Sequence, residues 1–127
     1  MDILIESTHN FEKDFSNLTE DEKKRVIQGI NHCTELFPTQ KANVYHQLHQ
    51  LSLPSVLNGY DSSLYVLRVP QTLRVILTVD EDPIFEQVVF TLFRVIQHSN
   101  LDKAYKNIAE VLYQDFLRQD QEMAKVS

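Results

Sequence analysis

Three things are scarce in this chain: cysteine, positive charge and long apolar runs. A single cysteine, Cys33, among 127 residues excludes an internal disulfide and a cysteine-built zinc cluster, and fits a reducing compartment. No segment approaches the ~18 consecutive apolar residues of a membrane-spanning helix. The opening MDILIESTHN has neither the basic start nor the apolar run of a secretory signal. The expected location is therefore the cytoplasm, with no membrane contact. Lysine and arginine number 12 against 18 acids, a net charge of −6. A general nucleic-acid coat gains affinity when its cations release counterions from phosphate, so a chain this acidic is not built as one. A small basic site on an acidic body stays open. Phosphate-loop, dinucleotide and Ser-His-Asp signatures are also missing, so no cofactor is expected.

What is present suffices for one core. The length suits one domain, expected over residues 1–118, and 43% of residues are hydrophobic. The polar end, residues 119–127, reads as a tail. Asp2 to Glu6 alternates like a short strand. Phe11, Phe15 and Leu18 follow at helical spacing, with Ser7 or Thr8 as cap. Thr19-Glu20-Asp21-Glu22 is a capping box, in which Thr19 and Glu22 satisfy each other's helix-start amides. Behind it Val26, Ile27, Ile30, Cys33, Thr34 and Phe37 form an apolar stripe, which Pro38 is expected to end. Val44, Tyr45, Leu48 and Leu51 suggest a further short helix, closed by Pro54 before a turn at Asn58-Gly59.

Two strands then flank a tight turn in LYVLRVPQTLRVILTVD, and Ile84 to His98 supplies a third. That last segment also fits a helix, but its Val, Thr, Ile and Phe content favours a buried strand. Ser99 or Asn100 begins a terminal helix carrying Leu101, Ala104, Tyr105, Ile108, Leu112 and Phe116. The order predicts an α+β domain: an N-terminal strand, a helical hairpin, a mostly antiparallel sheet and a C-terminal helix, with the helices mainly on one face.

The hairpin register follows from its apolar faces. Tyr65, Leu67 and Val69 share one face, and so do Leu73, Val75, Leu77 and Val79. Facing both sets to one core pairs Val69 with Leu73 and Leu67 with Val75, because a one-residue slip would turn one set outward. Arg68 then lies opposite Arg74 on the face away from the helices. Like charges across a strand pair are unfavourable by roughly 0.2–1 kcal/mol. Two readings explain the pair. An anion such as phosphate or a carboxylate sits between them, or each arginine meets a nearby Asp or Glu at a sheet edge.

The stretch NFEKDFSNLTEDEKKRVIQGINHC, then LPSVLNGYDSSLYVLRVPQTLRVILTVDED, a third strand and a tyrosine-bearing last helix, resembles the RelE/ParE superfamily of bacterial toxins. The resemblance runs from Met1 to about Phe116, with Pro38 to Pro54 as an expanded connection. It implies the toxin of a type II toxin–antitoxin pair, neutralised by an antitoxin protein. In the RelE branch such toxins cut mRNA in the ribosome without a metal; in the ParE branch they inhibit DNA gyrase. Arg68 and Arg74 match the strand arginines that hold the scissile phosphate. His98 falls where many members carry a histidine, a candidate general base, and Tyr105 falls near the terminal-helix tyrosine. The chain also departs from the pattern. Ser99 stands where an arginine often follows the histidine, His98 and Tyr105 are further apart than usual, and no lysine lies between Gly59 and His98. A non-enzymatic or degenerate member that acts through protein binding is the alternative.

Other candidates read as ordinary structure. His46 and His49 lack the further ligands zinc needs. Cys33 sits on an apolar stripe as a small hydrophobe. Asp80-Glu81-Asp82 reads as a solvated turn. Whether Arg94 joins Arg68 and Arg74 depends on the parity of the loop after Val79, which the residue pattern leaves undecided.

Overall fold

Residues 1–50, 64–104 and 106–108 are described in a computed structural model of the chain. They form β1 (Asp2–Ser7), α1 (His9–Ser16), α2 (Glu20–Gln47), β2 (His49–Gln50), β3 (Leu64–Val69), β4 (Leu73–Asp82) and β5 (Gln87–Gln97). A 3-10 turn at His98–Asn100 leads into helical residues 101–104 and 106–108. One five-stranded sheet has the order β1-β5-β4-β3-β2. β1 lies parallel to β5, and every other neighbour is antiparallel. The architecture is α+β with a mixed sheet. No helix among the described residues is long and apolar enough to cross a membrane.

Both helix starts are set by the residues read from the sequence. Thr8 caps α1 by accepting from the Phe11 amide at 3.1 Å. At α2 the Thr19 hydroxyl accepts from the Glu22 amide, and Glu22 accepts from the Thr19 amide. Val26, Ile30, Cys33 and Phe37 are buried against Leu67, Val69, Val75, Leu77 and Phe90. The Phe37 ring meets Phe90 edge-on at 5.5 Å between centroids, an arrangement worth about 0.5–1.5 kcal/mol beyond simple burial. Burial also pushes the Cys33 thiol pKa up, as expected of a core thiol.

Pro38 does not end α2. Helical backbone continues to Gln47, and the break comes at Gln40, with φ −134° and ψ 46°. A proline ring removes one amide donor and crowds the preceding turn, which a long helix can absorb as a kink when its far end still packs. Here the far end packs through buried Val44 and through Tyr45, whose ring lies 5.7 Å from Phe37 and 5.6 Å from Tyr65. The predicted short helix is thus the second arm of α2, and Leu48 leads into the β2 edge. Leu51, Pro54, the Asn58-Gly59 turn, Leu112, Phe116 and the 119–127 tail lie outside the described residues.

α1 and α2 pack on one face, as expected, but helical residues also cover the other. The second face buries Leu64, Ile76 and Ile96 against Ala104, with Leu101 and Ile108 beside them. β5 is a strand, as its β-branched content suggested, and it begins only at Gln87. Ile84 and Phe85 belong to the turn before it, where the Asp82 carboxylate accepts from both of their amides.

Candidate functional site

The β3–β4 register is Val69↔Leu73, Arg68↔Arg74 and Leu67↔Val75. The two arginines are therefore cross-strand partners. Their surroundings differ. Arg68 is exposed, while Arg74 is only 9% exposed. Its guanidinium donates back to the Leu73 carbonyl at 2.8 Å. Arg74 shares a face with Ile76 and lies opposite Ile96, two residues of the second core. The face expected to be free of helices is the one that Leu101, Ala104 and Ile108 cover, and this accounts for its burial. Among the described residues neither arginine has a carboxylate within ion-pair distance; the ion pairs there are Lys23–Glu20, Lys41–Glu81 and Arg94–Asp14. Among the described residues, then, no neighbouring acid neutralises the pair.

His98 comes to the same end of the sheet. Its amide donates to the Thr72 carbonyl at 2.6 Å, which ties the exit of β5 to the β3–β4 turn. The imidazole is exposed and makes no hydrogen bond among the described residues. The Thr72 hydroxyl donates to the Gln97 side chain at 2.5 Å. From α2, Arg25 donates to the Pro70 carbonyl at 3.2 Å. The turn that carries the arginine pair is thus held from two sides. Tyr105 lies outside the described residues.

The structure also decides the position of Arg94. A register shift between Ile76 and Leu77 lets Phe93 bulge, so Arg94 faces Ile76 and shares the Arg74 face. Arg94 is already neutralised, however. Its Nε and Nη2 donate to both Asp14 oxygens at 2.5 and 3.0 Å, and the Val95 amide donates to Oδ2 at 3.2 Å. The Asp14 hydrogen bond holds the guanidinium pKa above its ordinary value, outweighing partial burial. Beside it a cleft of about 260 Å³ is lined by Arg94, Ile96, Asn100, Lys103 and Asn107, among others. Asp14 as partner and Lys103 with the two asparagines as neighbours were not anticipated. The sequence did not mark the inserted residue, because 88–96 is mostly apolar on both faces; only in the fold do the buried positions Val88, Phe90, Leu92 and Val95 step by two, two and three.

The remaining candidates behave mostly as ordinary structure. His46 and His49 are exposed, and no cluster of metal-ligating side chains occurs among the described residues. The acidic turn is more than solvated surface. Glu81 bonds Lys41 and accepts from the Tyr45 hydroxyl at 2.8 Å, pinning the second arm of α2 to β4.

No protein-family model and no curated protein sequence matches the chain. Solved structures do. One match is a chain of the toxin–antitoxin complex RelBE2 from Mycobacterium tuberculosis, with 14% identity and a TM-score of 0.50 over 76% of this chain and 99% of that one. Another is a chain of the archaeal RelE–RelB complex from Pyrococcus horikoshii, with 17% identity and a TM-score of 0.50 over 77% and 97%. The chain has a RelE-like fold.

Proposed function

We propose that this chain is the toxin of a toxin–antitoxin pair, and that its arginine end cleaves mRNA on the ribosome without a metal. One observation carries the reading: Arg68 and Arg74 face each other across β3 and β4 with no carboxylate to neutralise them among the described residues. A phosphodiester placed there would relieve the repulsion. The matched structures support the partner half of the reading, since both are toxin–antitoxin complexes. In the chemistry, His98 takes the proton of a ribose 2′-hydroxyl. The 2′-oxygen attacks the adjacent phosphorus, and the bond to the 5′-oxygen breaks. Arg68 and Arg74 stabilise the negative charge that builds on the phosphoryl oxygens. Tyr105 is the candidate donor of the proton that the leaving 5′-oxygen needs.

A second reading has its own support. The net charge of −6 opposes docking on RNA, and most of the Arg74 surface is covered. A chain of this fold that acts by binding a protein such as DNA gyrase, without cleavage, would need neither an open Arg74 nor a basic body. Expression without the antitoxin separates the two. The nuclease reading expects growth arrest, with cuts in translated mRNA mapped by primer extension, and relief of both by Arg68→Ala. Arrest without mRNA cuts, together with inhibited gyrase supercoiling, selects the second reading. Unimpaired growth with folded wild-type chain overturns the toxin assignment.

A further inference from the structure

The end of the sheet opposite the arginines is built for contact. β1 closes one side of the sheet and pairs only with β5 among the described residues. Such an edge presents a row of unpaired amides and carbonyls that can accept another strand. Five of its six residues are exposed. Leu4 and Ile5, on its two faces, are 44% and 47% exposed. The Asp2 amide donates to the Glu86 carbonyl at 3.0 Å, so the β4–β5 turn adjoins the start of this edge. Ile84 and Phe85 stand out from that turn at 83% and 72% exposure. A cleft of about 350 Å³ beside them is lined by Met1, Pro83 and Val88 together with Glu81, Asp82 and Glu86.

Apart from the Met1 α-amino group, the charge here has one sign. Residues 1–12 and 75–93 contain no lysine or arginine, while Asp2, Glu6, Asp82 and Glu86 supply acids along the edge and the turn. This disfavours the simplest occupants, which bring no surplus of cations to it. A second copy pairing antiparallel through β1 brings the same acids to the contact and no side-chain cation, and in the register about Leu4 it sets Asp2 against Glu6 twice. The chain's own remaining residues do not match either. Residues 51–63 contain no cation, and residues 109–127 carry Glu110, Asp115, Asp120 and Glu122 against Arg118 and Lys125.

We propose that the open edge of β1 and the adjoining β4–β5 turn dock an extended segment of a partner protein in which lysine or arginine alternates with aliphatic residues, adding a strand to the sheet. Backbone pairing supplies part of the affinity, the aliphatic residues cover Leu4 or Ile5, and the cations meet the acidic rim. The inference is independent of cleavage at the arginine end, which lies at the far ends of β4 and β5. The test uses a labelled peptide alternating Lys and Val, about ten residues long to span a strand, and a twin with Glu for Lys. Both are titrated against the full chain by fluorescence anisotropy. The basic peptide should bind at least roughly tenfold tighter than its twin, weaken with salt and shift the amide resonances of Asp2–Ser7. In the double variant Glu6→Lys, Glu86→Lys, whose sites are exposed, the preference should invert. Equal binding of the two peptides, no binding of either, or an unchanged preference in that variant would overturn the proposal. So would a chain that self-associates through β1. Nuclease assays on the same preparations report on the arginine end separately.

Discussion

Arg68 and Arg74 differ in burial, and their substitutions should differ accordingly. Arg68 is exposed and has no bonded partner among the described residues. Arg68→Ala should leave the melting temperature within error while lowering RNA cleavage about 100-fold, the scale of one lost charge-stabilising group. Arg74 packs its stem beside Ile76 and Ile96, so Arg74→Ala should also cost about 1–2 kcal/mol in a urea titration. Arg68 is therefore the cleaner probe of chemistry. The cross-strand pairing was legible in the sequence because alternation admits one register. The burial of Arg74 was not, since it depends on a helix arriving from the other face. Glu81 gives a pH prediction. Partial burial alone would raise its pKa, but hydrogen bonds from Lys41 and Tyr45 outweigh this and lower it below the ordinary 4.5. A lowered folded pKa stabilises above the ordinary value, and that stabilisation is lost as pH falls through the lowered one. Glu81→Gln should therefore reduce stability near neutral pH and lose less on acidification to about pH 3, read from urea midpoints.

Among the elements, α2 shows how far local signals reach. Its capping box is complete, and Thr19→Ala should cost about 1 kcal/mol by thermal or urea unfolding. Gly29 lies in the same helix. A Cβ there would meet Leu67 Cδ2 at 3.5 Å and Val69 Cγ2 at 3.7 Å, both ordinary contacts. Gly29→Ala should raise stability by roughly 0.5–1 kcal/mol, because it removes a helix-breaking preference without forcing a neighbour aside. A loss in calorimetry would mean that α2 sits closer to β3 than these distances state. Start signals such as Thr8 and Thr19 are local and were readable. The end of α2 was not, because Pro38 sets a local preference that the packing of Val44 and Tyr45 overrides. The bulge at Phe93 was missed for a related reason: it is locked by distant groups, the Thr8 hydroxyl donating to the Phe93 carbonyl at 2.9 Å and Asp14 accepting from the Val95 amide. That one extra residue decides which face Arg94 takes.

For the whole molecule, net charge sets the terms of association. At −6, affinity for bulk RNA or duplex DNA should be weak at physiological salt and fall steeply as salt rises; a filter-binding titration that found tight, salt-insensitive binding would contradict this. The strand pairing carries a consequence of another kind, in time. β1 precedes the other described elements, yet its neighbour in the sheet is β5, and the contact of Thr8 with Phe93 closes a separation of 85 residues. At ~5–20 residues per second of synthesis, the first strand waits about 4–17 s on the translating ribosome before its partner has been made. Loop closure of that length is slow compared with forming α1 and α2. Until β5 is made, the nascent chain therefore carries a helical hairpin and an unpaired apolar strand. His98 is made later still, after all five strands. The arginine end thus stays incomplete until β5 and His98 have followed β3 and β4 off the ribosome.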